Sequence, residues 1–488
     1  MTIGQPLYPR AAVQQLDRAA SARHGATGLM QRAAHAAWIL LRRRWPSARR
    51  LCVLCGPGNN GGDGYLLAAL ARAQGCEVDV VVLDEEAPRS EAARAARAEW
   101  GGAVSPAQDA ADRLAQADVA IDALFGIGLA RALDGVAADL VAAVNAAGCP
   151  VLALDVPSGL DADTGATPGA AVRAELTVEF ILPKRGLRTG RGPALCGALH
   201  LDGLGLDSAE RGRAASAARL LLPSDIGRWL QPRPRDAHKG QNGHVLCIGG
   251  DHGTGGALAL CLRAALRSGA GYASAATRAE HVPALIALQP EAMARAVGEG
   301  GDLSPLLERA DVLALGPGLG KGDWGRALYA RALAAGLPLV VDADALNLLA
   351  EAPQALRDAV LTPHPGEAAR LLGCDTAAIQ ADRLAAAAEL AARYASAVIL
   401  KGSGSVIAAP GREPCIVGAG NPGMAVGGMG DLLTGIVAGL RGQGLEAFDA
   451  ACCAALLHAA AADLAAAAGE RGLLPGDVLD PLRRLANP

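Results

Sequence analysis

The stretch "LCVLCGPGNNGGDGYLLAAL", residues 51–70, decides the fold of the first half of the chain. It begins with an apolar run typical of a buried strand, passes through a glycine-rich turn, and ends in a helical pattern of leucines and alanines. Gly56, Gly58 and Gly61 fit the spacing G-x-G-x-x-G, which can bring a phosphate to the amino terminus of a helix. The stretch therefore predicts a strand, a turn and a helix with a ligand site at the turn.

Short apolar runs alternate with longer helical patterns along the whole chain. The runs lie at 51–55, 78–83, 117–124, 150–156 and 175–180 in the first half, and at 243–250, 311–318, 338–344, 359–366 and 397–404 in the second. Such alternation is typical of βαβ units, which form a parallel sheet with helices on both faces. We predict an α/β protein that binds its ligands beyond the carboxyl ends of the strands.

A polar segment at 203–236 separates the two series of runs. It contains "GLDSAERGRAASAARL" and the proline-bearing "QPRPRDAHKG", which are typical of connections between domains. We place the boundary there, with a first domain at 1–218 and a second at 219–488. Two domains agree with the usual size range for a chain of 488 residues.

Composition excludes several classes of protein. A net charge of −4 and an aromatic content of 3% argue against a nucleic-acid or anionic-membrane surface. The eleven cysteines show neither a disulfide framework nor paired zinc spacing, and "MTIGQPLYPR" has no apolar segment behind a basic start. Because His458 and Asp463 interrupt the apolar stretch 451–469, we expect no run long enough to span a bilayer. We expect a cytoplasmic homo-oligomer that acts on small molecules.

The first glycine loop carries polar groups that a dehydrogenase turn does not require. Asn59 and Asn60 add amide oxygens, and Asp63 adds a negative charge that repels a pyrophosphate unless a cation intervenes. Hard cations take oxygen ligands of this kind, so the loop predicts a polar pocket linked to a cation. Asp84 lies where a ribose-binding acid is expected, so an NAD-dependent dehydrogenase remains an alternative from these residues alone.

Two further acids follow strands of the same predicted sheet. Asp122 lies in "IDALFGIGL" and Asp155 in "LDVPSGLD", with Ser158 shortly after it. Either acid alone could be a helix cap. Because parallel strands end at one edge of a sheet, the two acids and the glycine loop together predict a single site.

The strings "GPGNNGGDGY", "DALFGIGL" and "DVPSGLDADTG" resemble the NAD(P)H-hydrate epimerase domain, over about residues 10–215. The resemblance implies a Rossmann-like three-layer αβα fold and interconversion of the R and S epimers of NADH or NADPH hydrated at nicotinamide C6. It implies a potassium site at Asn60, Asp122 and Ser158. The implied substrate contacts are Asn59, Asn60, Gly61, Gly62, Asp63, Gly126, Ile127, Gly128, Leu129, Ala130, Arg131, Ala132 and Asp155.

Epimerisation of such a carbon can proceed by loss and return of hydroxide through an iminium. This chemistry needs a positioned acid/base group in a polar pocket. Asp155 is our candidate for that catalytic group. Lys184 in "ILPKRG" is a weaker one, since it could equally be a surface lysine.

A second glycine-rich turn, "NPGMAVGGMGDLLTGIVAGL" at 421–440, leads into an apolar helix. Gly427, Gly428 and Gly430 free the backbone to surround an anion at the helix start. Asp431 would lie beside that anion, where a base could take a proton from an attacking hydroxyl. The alternative is an ordinary acidic residue in the first turn of a helix.

This turn resembles the G-x-G-D motif of the ribokinase-like fold. With "HKGQNGHVLCIGGDHGTGGA", "GPGLG", "VDADALNLL", "LTPHPGEAARLL" and "KGSGSVI", residues from about 222 to 486 resemble the ADP/ATP-dependent NAD(P)H-hydrate dehydratase. The resemblance implies hydrate contacts at Ala257, Gly318, His364 and Asp431, and nucleotide contacts at Lys401, Gly402, Ser403, Gly404, Ser405 and Gly430. The roles of Asp342, Asp344 and Glu367 stay open, Glu367 being either a helix cap or a residue that positions a metal through water.

The resemblance implies that Asp431 is the catalytic base in phosphorylation of the C6 hydroxyl, after which phosphate leaves and the dihydronicotinamide is restored. ADP would be the phosphate donor and would give AMP, and Mg²⁺ is expected because charge neutralisation dominates such transfers. The sequence thus predicts an epimerase half that supplies an S-specific dehydratase half. The alternatives are a small-molecule kinase of the ribokinase-like class fused to an NAD-binding domain, and a module that only senses NAD(H).

Overall fold

The computed structural model describes residues 3–84, 86–129 and 131–487. The chain forms two compact units. One unit contains residues 6–218, and the other contains the chain from Arg219 onward together with the first residues up to Gln5.

The elements of the first unit alternate between strands and helices. Strand β1 (Gln5–Leu7) comes first in the chain and pairs in the larger sheet described below. In chain order the other elements are α1 (Arg10–His24), α2 (Ala26–Arg44), β2 (Arg50–Cys55), α3 (Asn59–Ala73), β3 (Glu77–Val82), α4 (Glu91–Trp100), β4 (Ser105–Pro106), α5 (Ala110–Leu114), β5 (Val119–Ala123), α6 (Gly135–Ala146), β6 (Val151–Leu154), β7 (Leu176–Phe180), α7 (Gly192–Leu195), β8 (Ala198–Asp202) and α8 (Ser208–Arg211).

Seven parallel strands form the sheet of this unit, in the order β4-β3-β2-β5-β6-β7-β8. The order reverses between β2 and β5, and open α/β sheets bind ligands at such a reversal. Leu51 and Val53 of β2 pack in one apolar cluster, while Cys52 and Leu54 pack in a second cluster on the other face. The predicted Rossmann-like three-layer αβα fold is therefore confirmed.

The second unit also alternates between strands and helices. Its elements are β9 (Ala218–Leu221), α9 (Ile226–Trp229), β10 (His244–Ile248), α10 (Gly255–Arg267), β11 (Tyr272–Thr277), α11 (Val282–Leu288), β12 (Met293–Ala296), α12 (Ser304–Leu307), β13 (Val312–Leu315), α13 (Asp323–Ala334), β14 (Leu339–Val341), α14 (Ala343–Glu351), β15 (Ala359–Leu361), α15 (Pro365–Leu372), α16 (Thr376–Ala381), α17 (Arg383–Tyr394), β16 (Ala397–Leu400), β17 (Val406–Ala408), β18 (Cys415–Val417), α18 (Met429–Gly442), α19 (Ala447–Ala465) and α20 (Pro475–Leu485).

The larger sheet has the strand order β1-β9-β18-β17-β16-β15-β14-β13-β10-β11-β12. The strands from β16 through to β12 in this order run parallel to their neighbours, and β17 is antiparallel to both β16 and β18. The loops that follow β13, β14, β15 and β16 consequently meet at one edge of the sheet.

Helix α19 is a core helix of the second unit. The segment Ala447–Ala468 is long and apolar enough to cross a membrane by length and composition alone, so the expectation that no run is long enough was wrong. However, 72% of its most apolar 18-residue window is buried inside the protein. It packs in the same apolar cluster as α10 and α18, where even His458 is buried.

All eleven cysteines lie in the described part of the chain and are free. Cys52 and Cys55 are buried in β2. Burial raises the pKa of the Cys52 thiol to about 12. These two cysteines therefore pack as apolar side chains, as their position in a strand predicts.

Candidate active sites

The first unit contains a cavity of about 920 Å³ at the reversal in strand order. The turn between β2 and α3, the loop after β5 and the loop after β6 line it together with helix α1. The volume lies within the range of pockets that hold cofactor-sized ligands. Its charged and amide lining residues include Asp17, Asn59, Asn60, Asp63, Asp84, Arg89, Arg131, Asp134 and Asp155.

Glycines in the first turn let neighbouring loops approach closely. A Cβ added to Gly56 would lie 1.8 Å from the carbonyl oxygen of Leu124, and one added to Gly61 would lie 1.9 Å from the carbonyl oxygen of Gly56. A side chain at Gly56 would separate the β2 turn from the loop after β5, and one at Gly61 would disrupt the turn itself. The glycine spacing is therefore explained by packing of the loops as well as by access of a ligand.

Asp122 and Ser158 form a buried hydrogen-bonded pair. The Asp122 carboxylate accepts from the Ser158 amide at 2.7 Å, from the Ser158 hydroxyl at 2.6 Å and from the Leu124 amide at 3.2 Å. Ser158 Oγ in turn accepts from the amide of Phe125 at 2.9 Å. Burial raises the pKa of Asp122 to about 6, although the bonds from Ser158 favour its charged form.

Asn60 is buried in the first turn of α3. Within the described part of the chain, neither its Oδ1 nor its Nδ2 has a hydrogen-bond partner. A buried amide without partners is unusual in proteins and indicates a missing ligand, ion or water. An amide oxygen, a carboxylate and a hydroxyl are oxygen donors of the kind that hard cations take, so these residues fit a potassium ion.

Asp155 is held rigidly against the buried Lys184. Its Oδ1 accepts from Lys184 Nζ and from the Phe180 amide, and its Oδ2 accepts from the Ile127 amide at 3.3 Å. The Lys184 side chain is 0% exposed, so the alternative that it is a surface lysine is wrong. A Cβ on Gly126 would lie 3.2 Å from Asp155 Oδ2 and 3.4 Å from Asn60 Oδ1, which brings both groups to one point of the cavity wall.

Most of the residues expected to contact the first substrate line this cavity. They are Asn59, Asn60, Asp63, Gly126, Ile127, Gly128, Leu129, Arg131 and Asp155. Gly61, Gly62 and Ala132 are not among the lining residues, and Ala130 lies outside the described residues. The roles of all thirteen residues as substrate contacts stay predictions. Sequence reasoning missed Asp17, whose only signal was an acid on the apolar face of a helix.

The second unit brings four charged groups together at the ends of β14, β15 and β16. Lys401 Nζ lies 2.9 Å from Asp342 Oδ1 and 3.8 Å from Glu367 Oε2. Thr434 of α18 donates a hydrogen bond to Asp342 Oδ2 at 2.8 Å. Asp431 follows in the first turn of α18, so this cluster lies at the glycine turn.

Asp431 has the electrostatics of a base that works near neutral pH. Burial, together with the negative charges of Asp342, Asp344 and Glu367, raises its pKa to about 7 against the opposing effect of Lys401. A carboxyl with such a pKa takes and releases protons readily at physiological pH.

His364 and Glu367 form a reciprocal cap at the start of α15. The His364 ring accepts from the Gly366 amide through Nδ1 at 3.0 Å, and Glu367 Oε2 accepts from the His364 amide at 2.8 Å. Glu367 therefore caps helix α15, which is one of the two roles left open for it. Because Nδ1 is an acceptor, the ring proton lies on Nε2. Burial and the nearby Lys401 and Arg370 charges lower the pKa of His364 and keep the ring neutral.

The buried side chain of Arg383 holds the start of the loop at 401–405. This side chain is 1% exposed and donates to the carbonyl oxygens of Leu400 at 3.1 Å and Lys401 at 3.2 Å. Gly402 has a φ of +147°, and a Cβ there would lie 2.8 Å from Arg383 Nη2. Ser405 Oγ donates to the Gly402 carbonyl oxygen at 3.0 Å and closes the loop. Sequence reasoning missed Arg383.

Ala257 and Gly318 lie on two loops that are bonded together. The Gly318 carbonyl oxygen accepts from Thr254 Oγ1 at 2.8 Å, and Thr254 precedes the first turn of α10, which contains Ala257. Asp344 Oδ2 accepts from the Gly320 amide at 2.9 Å and so joins the loop after β13 to α14. The same edge of the sheet therefore carries all the residues expected to contact the hydrate.

The described residues contain no group of three or more histidine, cysteine or acidic side chains that could hold a metal ion. Lys401 already neutralises Asp342 in the cluster of the second unit. Mg²⁺ commonly needs only one or two carboxylates when substrate phosphates complete its shell. The residues present thus fit a Mg²⁺ that is bound mainly by a nucleotide, and they do not form a cage of their own.

A parallel sheet, a glycine turn at a helix start, a base and a lysine-bearing loop define the second unit as a group-transfer enzyme of the ribokinase-like class. A solved ribokinase-like superfamily protein of Enterococcus faecalis V583 confirms this fold, with a TM-score of 0.52, 31% identity, and coverage of 55% of this chain and 95% of its own. Residues 245–484 match the NAD(P)H-hydrate dehydratase family model, and residues 26–186 match the model of the YjeF-related protein N-terminus.

Two relatives extend the likeness over nearly the whole chain. The bifunctional NAD(P)H-hydrate repair enzyme Nnr of Coxiella burnetii is 45% identical over 485 residues, covering 99% of each chain. The enzyme of the same name in Escherichia coli K12 is 45% identical over 464 residues, covering 94% of this chain and 89% of its own. The chain belongs to the family of bifunctional NAD(P)H-hydrate repair enzymes.

Proposed function

We propose that this protein restores hydrated NADH and NADPH in two steps. The first unit interconverts the R and S epimers, and the second unit dehydrates the S epimer at the expense of a nucleotide. The observation that carries the proposal is that one chain holds two acid-bearing sites, around Asp155 with Lys184 and around Asp431 with Lys401. We further propose that the two activities divide near residue 218.

In the epimerase site, Asp155 acts as the acid/base group. Its Oδ1 is held by Lys184 and Phe180, and its Oδ2 faces the loop that carries Gly126. Hydroxide leaves C6 as the ring nitrogen lone pair forms the C=N bond of an iminium, and water then adds to C6 while Asp155 takes its proton and returns it to the released hydroxide. A potassium ion held by Asn60, Asp122 and Ser158 would supply the positive charge that an anionic dinucleotide needs next to these acids.

In the dehydratase site, Asp431 takes the proton of the C6 hydroxyl as that oxygen attacks the terminal phosphate of the nucleotide. Lys401 and the backbone amides at the start of α18 stabilise the phosphate charge. The phosphate then departs with the C6–O electrons, and loss of a ring proton restores the dihydronicotinamide. Phosphate is a far better leaving group than hydroxide, which explains why a nucleotide is consumed.

We propose ADP as the donor, which gives AMP and phosphate, with Mg²⁺ arriving on the nucleotide. Positions 401–405 and Gly430 would contact the nucleotide, and Ala257, Gly318 and His364 would contact the hydrate. We also propose that the protein is a cytoplasmic homo-oligomer. Its free cysteines support a reducing compartment.

The test supplies purified S and R hydrates of NADH with ADP or ATP and follows the return of dihydronicotinamide absorbance. We expect the S epimer to recover with a nucleotide only, and the R epimer to recover after epimerisation. Absence of recovery with either nucleotide would contradict the dehydratase assignment. Nucleotide consumption without recovery would favour the alternative of a small-molecule kinase.

A further inference from the structure

Asp17 lies on the buried face of helix α1. Val13, one turn before it, is 2% exposed, and Ala20, three residues after it, is 4% exposed. Residues three and four apart share one face of a helix, so the Asp17 carboxyl projects from the apolar side of α1. The Asp17 side chain is half-buried, and this partial loss of solvation makes its negative charge costly.

The usual structural roles of a helical acid do not explain Asp17. It lies in the second turn of α1, beyond the position of an amino-terminal cap. Across the residues that the structure describes, its side chain makes no ion pair within 4.0 Å and no hydrogen bond that would fix it to the fold. The carboxyl instead lines the cavity of the first unit, as do Gln14 and Ser21 on the same helix.

The remaining walls of the cavity bring other charges towards Asp17. Asp155 lies at a strand end and Asp63 on α3, and both act on Asp17. The buried Lys184 and the neighbouring Arg18 also act on it, although they do not line the cavity. The other charged lining residues are Asp84, Arg89, Arg131 and Asp134. Burial, followed by the charge on Asp155, raises the pKa of Asp17, while Lys184 and Arg18 oppose that change. Lys184 is bonded to Asp155 and not to Asp17, so Asp155 is the acid whose charge is neutralised directly.

We propose that Asp17 is a second catalytic residue of the epimerase, the general acid that protonates the departing hydroxyl. As the C6–O bond breaks, the oxygen takes the electron pair and the Asp17 proton and leaves as water, while the ring nitrogen lone pair forms the C=N bond. Water then adds to the other face of C6, and Asp155 accepts its proton. Solvent in the cavity returns the proton from Asp155 to Asp17, so atoms and charge balance over the cycle.

This inference deepens the proposed epimerase function and rests on it. Asp17 and Asp155 come from two different walls of the cavity, a helix and a strand end. Two acid/base groups on separate walls explain how the hydroxyl can leave from one face and return to the other.

The experiment follows the R-to-S conversion without nucleotide, so that the dehydratase half is idle, by separating the epimers chromatographically. We expect Asp17→Asn to slow the enzymatic conversion by about 100-fold or more, as removal of a general acid does. The rate of the wild-type protein should decline at alkaline pH as Asp17 loses its proton. This decline should be absent in Asp17→Asn, because a proton on Asp17 is no longer used. ADP-dependent recovery of the S epimer should be unchanged. Asp112→Asn, at an exposed acid of the same unit, is the matched control.

Several results would overturn the proposal. An Asp17→Asn variant with the wild-type rate excludes it, and so does a slower variant with an unchanged pH profile, which would indicate a structural role. If Asp17→Asn does not fold, Asp17→Glu decides: a shifted alkaline limb supports the proposal and an unshifted one overturns it. If the wild-type protein does not interconvert the epimers at all, it is the proposed function that fails.

Discussion

Lys401 Nζ donates a hydrogen bond to Asp342 Oδ1 at 2.9 Å and so joins the loops that follow β16 and β14. The other carboxylate oxygen accepts from Thr434 of α18. Although burial opposes its charge, Lys401 holds the pKa of Asp342 below the ordinary value. The pKa of Lys401 is raised by Asp342 and Glu367 in spite of burial. An ionised pair therefore connects the loop at 401–405 to helix α18, which carries Asp431.

Removal of Lys401 should destabilise the second unit strongly. Asp342 is 2% exposed, and Lys401→Met would leave it charged without a partner, at a cost of about 3–5 kcal/mol. Denaturant unfolding at pH 7 measures this change. The double variant Lys401→Met with Asp342→Asn should recover part of the loss, and no recovery would mean that the pair is not its source. Because the pKa of Asp342 is lowered in the folded state, its contribution should be lost as pH falls through the acid range.

The pH dependence of dehydration should report Asp431. Its pKa is about 7, and a base acts only when deprotonated, so kcat/KM for the S hydrate should rise with pH and reach half its plateau near pH 7. Asp344→Asn removes one charge that raises this pKa and should move the midpoint to lower pH, while the amide can still accept from Gly320. Asp323→Asn, at an exposed acid, should leave the profile unchanged.

Arg383 should control nucleotide affinity without touching the nucleotide. Its bonds to the Leu400 and Lys401 carbonyl oxygens fix the peptide planes that begin the loop at 401–405. Arg383→Lys keeps the charge but loses the guanidinium contact to both carbonyl oxygens. We therefore expect KM for ADP to rise about 10-fold with little change in kcat. Arg393→Lys on the same helix is the control, since its guanidinium bonds elsewhere.

A double-mutant cycle tests the same contact from the opposite side. Gly402→Ala should raise KM for ADP, because its φ is +147° and its Cβ would meet the Arg383 guanidinium. In an Arg383→Lys background the steric part of this effect should shrink while the backbone strain stays. If the effects of Gly402→Ala and Arg383→Lys on KM are strictly additive, the two residues are not coupled through this contact.

Potassium should stabilise the first unit through Asn60. Both amide atoms of Asn60 are buried without partners in the described part of the chain, so an ion that binds there adds free energy to the folded state only. We expect the unfolding temperature of the wild-type protein to rise with potassium chloride more than with an equal concentration of tetramethylammonium chloride. In Asn60→Leu the difference should vanish. An equal response of both proteins would exclude Asn60 as a ligand.

Most of the central strands of both sheets could be predicted from the sequence. Every apolar run that we identified contains a strand, because a parallel strand that is buried on both faces leaves a continuous apolar signature. Edge strands leave no such signature, and the edge strand Met293–Ala296 is mostly exposed. Some interior strands were missed as well, since β11 consists mainly of small residues and β17 and β18 contain only three residues each.

The placement of candidate site residues could be predicted where a motif lies at the end of a strand. Asp122, Asp155 and the loop at 401–405 are of this kind, since the topology brings strand ends to one edge. Asp17 and Arg383 reach the candidate sites from helices through tertiary packing, for which the sequence holds at most a weak signal. The burial of Lys184 depends on the same packing, so its pairing with Asp155 was visible only in the structure.

The pair of Asp155 and Lys184 should separate the two activities of the chain. Asp155 has a φ of +66°, a conformation that asparagine tolerates better than alanine, so Asp155→Asn is the cleaner variant. It removes the acid/base group and should slow R-to-S conversion by about 100-fold or more. Recovery of the S epimer with ADP should stay at the wild-type rate, because Asp431 supplies that chemistry.

Lys184→Met should impair the same step for a different reason. The ammonium neutralises Asp155 directly, and without it Asp155, Asp63 and Asp17 would remain as three acids in one cavity. Loss of the ammonium also removes one of the donors that hold Asp155 Oδ1, so R-to-S conversion should slow while ADP-dependent recovery of the S epimer stays at the wild-type rate. Arg43→Met, at an exposed cation of the same unit, should leave both rates unchanged. A wild-type rate of R-to-S conversion in Lys184→Met would show that the ion pair is not needed for this step.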